Sequence, residues 1–139
     1  MKIKPKKYGW SFRLVKNQNE ELAIAGVSRC GMVLHFVRKQ TKEICLAAVR
    51  NDGWALQCVE EQTEEICLAA VSHYGNALKF VNEQTEEICL AAVRQNGLAL
   101  QYVEVQSEEI CRNAVQQNND ALFYVHDQTI KDKLQSVVK

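Results

Sequence analysis

Apolar residues fall along this chain in two alternating kinds of block. The first is a compact run, Ile66-Cys67-Leu68-Ala69-Ala70-Val71, preceded by Thr63, Glu64 and Glu65. The second is sparser: Ala77 and Leu78 are adjacent and Val81 follows at i+4 from Ala77. That spacing marks a helical stripe, not the period-two alternation of a strand. The compact run is ambiguous by period alone, because consecutive apolar residues also suit a buried strand. Its content decides for helix. Half of it is Ala and Cys, paired Glu precede it, and the leucine and asparagine ladder of a leucine-rich repeat is missing.

The two blocks recur with a period of 22 residues. QTEEICLAAV stands at 62–71 and again, unchanged, at 84–93; QTKEICLAAV at 40–49 and QSEEICRNAV at 106–115 are close variants, and QNEELAIAGV at 18–27 a more distant one. Gln18, Gln40, Gln62, Gln84, Gln106 and Gln128 each open a unit, and Gly9, Trp10, Phe12 and Val15 match a second half. The chain therefore divides into a half repeat at 1–17, full repeats at 18–39, 40–61, 62–83, 84–105 and 106–127, and a capping half repeat at 128–139. The fold expected is all-α: one domain, 1–139, forming a short α-solenoid of about six two-helix layers with polar end caps. At a helix spacing of roughly 8–10 Å such a stack is about 50 Å long.

Within a unit, Thr63 stands where an N-cap belongs and Glu64 and Glu65 favour the positive end of the first helix. Gly53, Gly75 and Gly97 suit a left-handed position just past that helix, and Asn119 holds the same slot in the last full unit. A first helix apolar nearly all round is expected to be the inner one, with Ala47 and Ala48 allowing close approach. The ends are expected to be polar: Arg112 and Asn113 replace Leu and Ala, and Asp132 and Lys133 stand where Ile and Cys would be.

These residues carry a resemblance. The stretch EICLAAVRQNGLALQYV resembles the repeats of the domain-of-unknown-function family numbered 4116, most specifically at its Leu-Ala-Ala-Val and Gly-x-Ala-Leu blocks, over nearly all of residues 9–137. The resemblance implies a helical repeat array of the kind found in multiple copies in bacteria and giant viruses, with no activity, cofactor or catalytic residue attached. Two departures stand out: Cys occupies positions where other aliphatics would serve, and the first unit is unusually basic.

Chemistry is sparse. Cys45, Cys67, Cys89 and Cys111 lie one repeat apart, about a helix spacing from one another. That is too far for a disulfide, and without the close Cys pairs of a structural zinc site. They read as buried fillers, whereas Cys30 and Cys58 fall outside the ladder and are the better candidates for exposed thiols. His35, His73 and His126 occupy three different repeat positions, so they do not converge. No phosphate-cradling glycine loop, Ser elbow or His pair at metal spacing occurs. The expectation is a protein without catalysis, metal or cofactor, placed in the cytoplasm because no secretory signal or membrane span is legible.

Binding is what the pattern favours, since a solenoid keeps its interior constant and varies its surface. Directly after the Gly come Trp10, Met32, Trp54, Asn76, Leu98 and Asp120; three residues on come Arg13, His35, Gln57, Lys79, Gln101 and Phe123. Recognition of another protein through these two columns of the second helix is the leading expectation, with Trp10 and Trp54 alternatively covering seams between repeats. A second surface is the acidic rail of Glu64, Glu65, Glu86, Glu87, Glu108 and Glu109. It suggests an inhibitor, of the kind phages direct at host defences, that blocks a nucleic-acid-handling machine. A third is nucleic-acid contact by the basic head of Lys2, Lys4, Lys6, Lys7, Arg13 and Lys16. Monomers or weak end-to-end association complete the expectation.

Charge sharpens this. Lys plus Arg and Asp plus Glu number 17 each, for a formal net charge of zero. Residues 1–39 nevertheless carry +7 and residues 40–139 carry −7. The balance excludes a uniform nucleic-acid coat and leaves an electrostatically oriented partner open.

Overall fold

The computed structural model describes residues 18–138, in which every repeat folds as an α-helix followed by a 3-10 helix. The α-helices are α1 (Glu20–Arg29), α2 (Lys42–Asn51), α3 (Glu64–His73), α4 (Glu86–Gln95), α5 (Glu108–Gln117) and a shorter α6 (Gln128–Gln135). Between them run the 3-10 helices η1 (Gly31–Phe36), η2 (Gly53–Cys58), η3 (Gly75–Phe80), η4 (Gly97–Tyr102) and η5 (Asn119–Tyr124). No strand occurs among the described residues. The half repeat at 1–17, with Trp10, Arg13 and the basic head, lies outside them.

Each α-helix starts where the side chains dictate. The oxygens of Asn19, Thr41, Thr63, Thr85 and Ser107 accept from the amides of Leu22, Ile44, Ile66, Ile88 and Ile110 at 2.7–3.3 Å. Deleting one such cap costs about 1 kcal/mol. The return element is 3-10 for a reason of length. Ten α residues rise about 15 Å, and six residues running back beside them cover only about 9 Å as α-helix but about 12 Å as 3-10 helix. The tighter winding lets a short segment match its partner.

Successive α-helices lie side by side and parallel, successive 3-10 helices do the same, and the core fills the space between the two layers. Ile66, Cys67, Ala70 and Val71 enter it from α3, and Ala77 and Leu78 from η3. Leu34, Leu56, Leu78 and Leu100 are fully buried, whereas Leu122 of η5 is only half-buried because no further 3-10 helix among the described residues covers it. Neither helix is the inner one. Leu68, Ala69, Leu90 and Ala91 are only partly buried, although Leu46 at the same place in α2 is buried, so α3 and α4 are not buried all round and that expectation is corrected there.

The glycines are also corrected. No described residue has positive φ, and Asp52, Tyr74 and Asn96 before the glycines are extended, with φ of −150°, −144° and −148°. Glycine is required by the neighbouring layer. A Cβ on Gly75 would lie 2.5 Å from the carbonyl oxygen of Ala92 and 2.9 Å from Gln95 Oε1. Asn119 is exposed and meets no such neighbour, which is why a side chain fits there.

The cap differs in register. Asp127, not Thr129, is the N-cap of α6, accepting from the Ile130 amide at 3.1 Å. The helix is thereby slid two residues forward relative to the repeat, so Ile130 takes the place of Ile66 and Leu134 turns inward to 7% exposure. Asp132 and Lys133 are exposed and replace nothing in the core. Arg112 and Asn113 likewise dress the side of the stack, not its end: Arg112 Nη2 lies 3.1 Å from Glu108 Oε1, and Asn113 bonds Arg94 Nε at 3.1 Å.

The glutamine that opens each repeat turns out to close it. Gln84 Nε2 donates to the Tyr102 carbonyl at 2.7 Å, and its Oε1 accepts from the Glu104 amide at 3.0 Å. Gln18, Gln40, Gln62 and Gln106 make the same two bonds. Each ties the start of an α-helix to the end of its own 3-10 helix. Gln128 lies inside the slid α6 and bonds Asp132 instead.

Candidate interaction surface

In a 3-10 helix residues i and i+3 eclipse, so the two variable columns stand one directly above the other on the outer face of the η layer. His35, Gln57, Lys79, Gln101 and Phe123 are all exposed; Met32, Trp54 and Asp120 are exposed and Asn76 and Leu98 half-buried. The columns are linked. Gln57 Nε2 donates to the Trp54 carbonyl at 3.0 Å, and Gln101 Nε2 to the Leu98 carbonyl at 3.1 Å. Of the five large apolar side chains exposed among the described residues, Met32, Trp54 and Phe123 lie on these columns.

A third column went unread in the sequence. Phe36, Cys58, Phe80, Tyr102 and Tyr124 end the 3-10 helices and are half-buried. Their signal in the sequence is an aromatic ring at the same place in four of five repeats. Trp54 leans on this third column and across the seam to η3. Its ring lies 5.2 Å from Phe80 and 5.7 Å from Tyr74, and Lys79 Nζ sits 5.2 Å from the Trp54 centroid. Trp54 therefore covers a seam while keeping 39% of its surface exposed.

The acidic rail is partly structural. Parallel stacking gathers all the described α-helix N-termini at one edge, where carboxylates offset the aligned dipoles. Thr85 Oγ1 donates to Glu64 Oε1 at 3.0 Å and Ser107 Oγ to Glu86 Oε1 at 3.1 Å, so these glutamates staple one layer to the next. Glu65 pairs with Lys42, whose ammonium is stabilised by that hydrogen bond and charge. Lys133, and after it Arg112, hold the Glu108 carboxyl below its usual range. Glu87 and Glu109 complete the exposed edge. Arg29, Arg50 and Arg94 lie at the opposite edge, in the last turns of their helices. Polarity thus runs across the stack and not only along it.

The cysteine ladder is buried, and all six cysteines are free thiols. Cys45, Cys67, Cys89 and Cys111 Sγ donate to the clasp glutamines Gln40, Gln62, Gln84 and Gln106 at 3.5–3.6 Å. Burial first, and nearby carboxylates second, push Cys67, Cys89 and Cys111 up to about 11. At pH 8 their thiolates are scarce, so in the native protein iodoacetamide should modify the half-buried Cys30 first and Cys58, raised by its own burial and by Asp52, more slowly, and all six after denaturation. Mass spectrometry counts them, and ladder labelling at the rate of Cys30 would refute this account. A thiol raised on folding contributes stability below its ordinary pKa of 9.0, and that contribution is lost as pH climbs toward about 11.

His35, His73 and His126 are exposed at separate repeat positions, and no group of three metal-ligating side chains occurs among the described residues. No described helix is long and apolar enough to cross a membrane. The profile of the family described as Domain of unknown function (DUF4116) matches residues 19–62, 63–106 and 85–130. The chain belongs to the DUF4116 family. Each of the three matches spans about two of the 22-residue units, and the second and third share residues 85–106, so the array is tandem. No curated protein and no solved structure matches this DUF4116 chain.

Proposed function

We propose that this DUF4116 protein is a non-catalytic scaffold that binds another protein through the eclipsed columns of its 3-10 helices. The observation that carries this reading is the contrast between the two faces of each η helix. Inward, Ala and Leu repeat almost without change; outward, Met32, Trp54, Asn76, Leu98 and Asp120 differ at every step. A rigid interior holding a row of dissimilar exposed side chains is how repeat proteins present a recognition surface. Large apolar groups at Trp54 and Phe123 supply the kind of anchor that dominates binding.

Co-purification from the native cell tests this. Trp54→Ala and Phe123→Ala together should weaken recovery of the bound partner at least about tenfold, the equivalent of roughly 1.4 kcal/mol. Helical content is the control for folding. Undiminished recovery by the folded double variant would remove these columns from the interface.

A further inference from the structure

One cluster on the recognition face already holds a cation. Lys79 Nζ lies 5.2 Å from the ring centroid of Trp54 and 5.2 Å from that of Phe80. Both distances are within cation–π range. Tyr74 backs the site, its ring tilted 31° against Trp54, and Phe80 meets Trp54 edge-on at 61°. Trp54 comes from η2 and the other groups from η3 and the residue before it, so the rings are held by two stacked layers. Lys79 is exposed and can swing away without disturbing the core.

This joint differs from most of the others. Where Tyr74 stands, Asp52, Asn96 and Asn118 accept from the amide two residues on and cap their 3-10 helices. Neither Tyr74 nor Cys30, its counterpart before η1, makes such a cap, and of these two only Tyr74 brings a ring. A residue that forgoes a local bond while adding an aromatic wall points to use of the ring. The position of Trp54 is held elsewhere by Met32, Asn76, Leu98 and Asp120, so the constellation occurs once among the described residues.

Resting on the protein-binding reading above, we propose that the Trp54, Tyr74 and Phe80 rings receive an arginine side chain of the partner, and that Lys79 occupies their place until it arrives. Charge favours a basic partner. The whole chain is neutral, but residues 40–139, which contain Trp54, Tyr74, Lys79 and Phe80, carry −7 against +7 in residues 1–39, so a cationic surface is drawn to this part of the stack. Guanidinium favours the site over ammonium because it is planar, more weakly hydrated and stacks on aromatic faces. Lys79 is then a competitor, and removing it should help binding.

The experiment uses the full chain with Trp10→Phe, which leaves Trp54 as the single tryptophan. Its fluorescence is followed during titration with acetyl-Gly-Arg-Gly-Arg-Gly-amide, and with the same peptide carrying citrulline or lysine. The arginine peptide should quench saturably and bind at least about fivefold tighter than the uncharged citrulline peptide, with lysine between. Lys79→Ala should tighten the arginine peptide about two- to fivefold, the range of an exposed cation–π contact. Equal binding of arginine and citrulline peptides, or weaker binding after Lys79→Ala, overturns the proposal. If Trp54→Ala still costs the native partner in that case, the columns remain the interface and only the arginine site is lost. Arginine selectivity beside undiminished partner recovery would mean that the rings take arginine but not the partner's, and would overturn the proposal together with the columns.

Discussion

Replacing Gly97 by Ala should destabilise the protein by about 3 kcal/mol, the upper range for forcing atoms into a packed site. In this chain of 139 residues that lowers the midpoint of thermal unfolding by roughly 10 °C. A Cβ there would drive into the carbonyl oxygen of Ala114, with Gln117 Oε1 at 2.9 Å and the Asn118 amide at 3.1 Å behind it. Backbone atoms of a neighbouring layer cannot step aside as the tip of a flexible side chain can. Gly97→Asn separates this cause from a left-handed backbone, where Asn would recover much of the loss. Here Asn should be no better than Ala. A calorimetric scan in which Asn is clearly the milder substitution, or in which Ala is neutral, would restore the conformational explanation. At the equivalent Asn119, which is exposed, Asn119→Ala should cost less than about 1 kcal/mol.

The second large effect is expected at the clasp. Gln84→Ala strands the Tyr102 carbonyl and the Glu104 amide and takes the acceptor from Cys89. Leaving buried polar partners unmade costs about 1–3 kcal/mol each, and partial access to water at the end of η4 brings the sum to about 3 kcal/mol. Gln128→Ala is the internal control. Gln128 heads the same repeat pattern but bonds only Asp132 within α6, so its loss should stay within about 0.5 kcal/mol. Urea unfolding measures both, and hydrogen exchange at the Glu104 amide should accelerate in the Gln84 variant alone. Similar losses at the two positions would mean that the clasp is not the source of the conservative spacing of these glutamines.

Much of this was legible before any coordinates. Thr63, Glu64 and Glu65 announced a helix start, and the structure has the Thr63 cap and the α-helix from Glu64. Cys67 read as a core filler and is buried at 3% exposure. Met32, Trp54 and Phe123 read as surface residues and are exposed. Other features misled for identifiable reasons. Gly75 follows a helix, which is where left-handed glycines gather, yet its reason lies in Ala92 of the next layer. Gln84 repeated faithfully with no partner nearby in sequence, because Tyr102 and Glu104 are eighteen and twenty residues away. The 22-residue register pairs Thr129 with Thr63, yet Asp127 caps α6 two residues earlier and Leu134 turns inward. The rail looked like a free surface until Thr85 and Ser107 were found donating to Glu64 and Glu86.

By itself the sequence determined the 22-residue period, the two helices per unit, the Thr63 cap and which columns face the core. These depend on groups within one or two turns of each other, where covalent spacing already sets the distance. Tertiary structure alone decided the 3-10 winding, the need for glycine, the partners of the glutamines and the rings that surround Lys79. Each of those is set by how closely one layer approaches the next, a distance that no local run of residues contains.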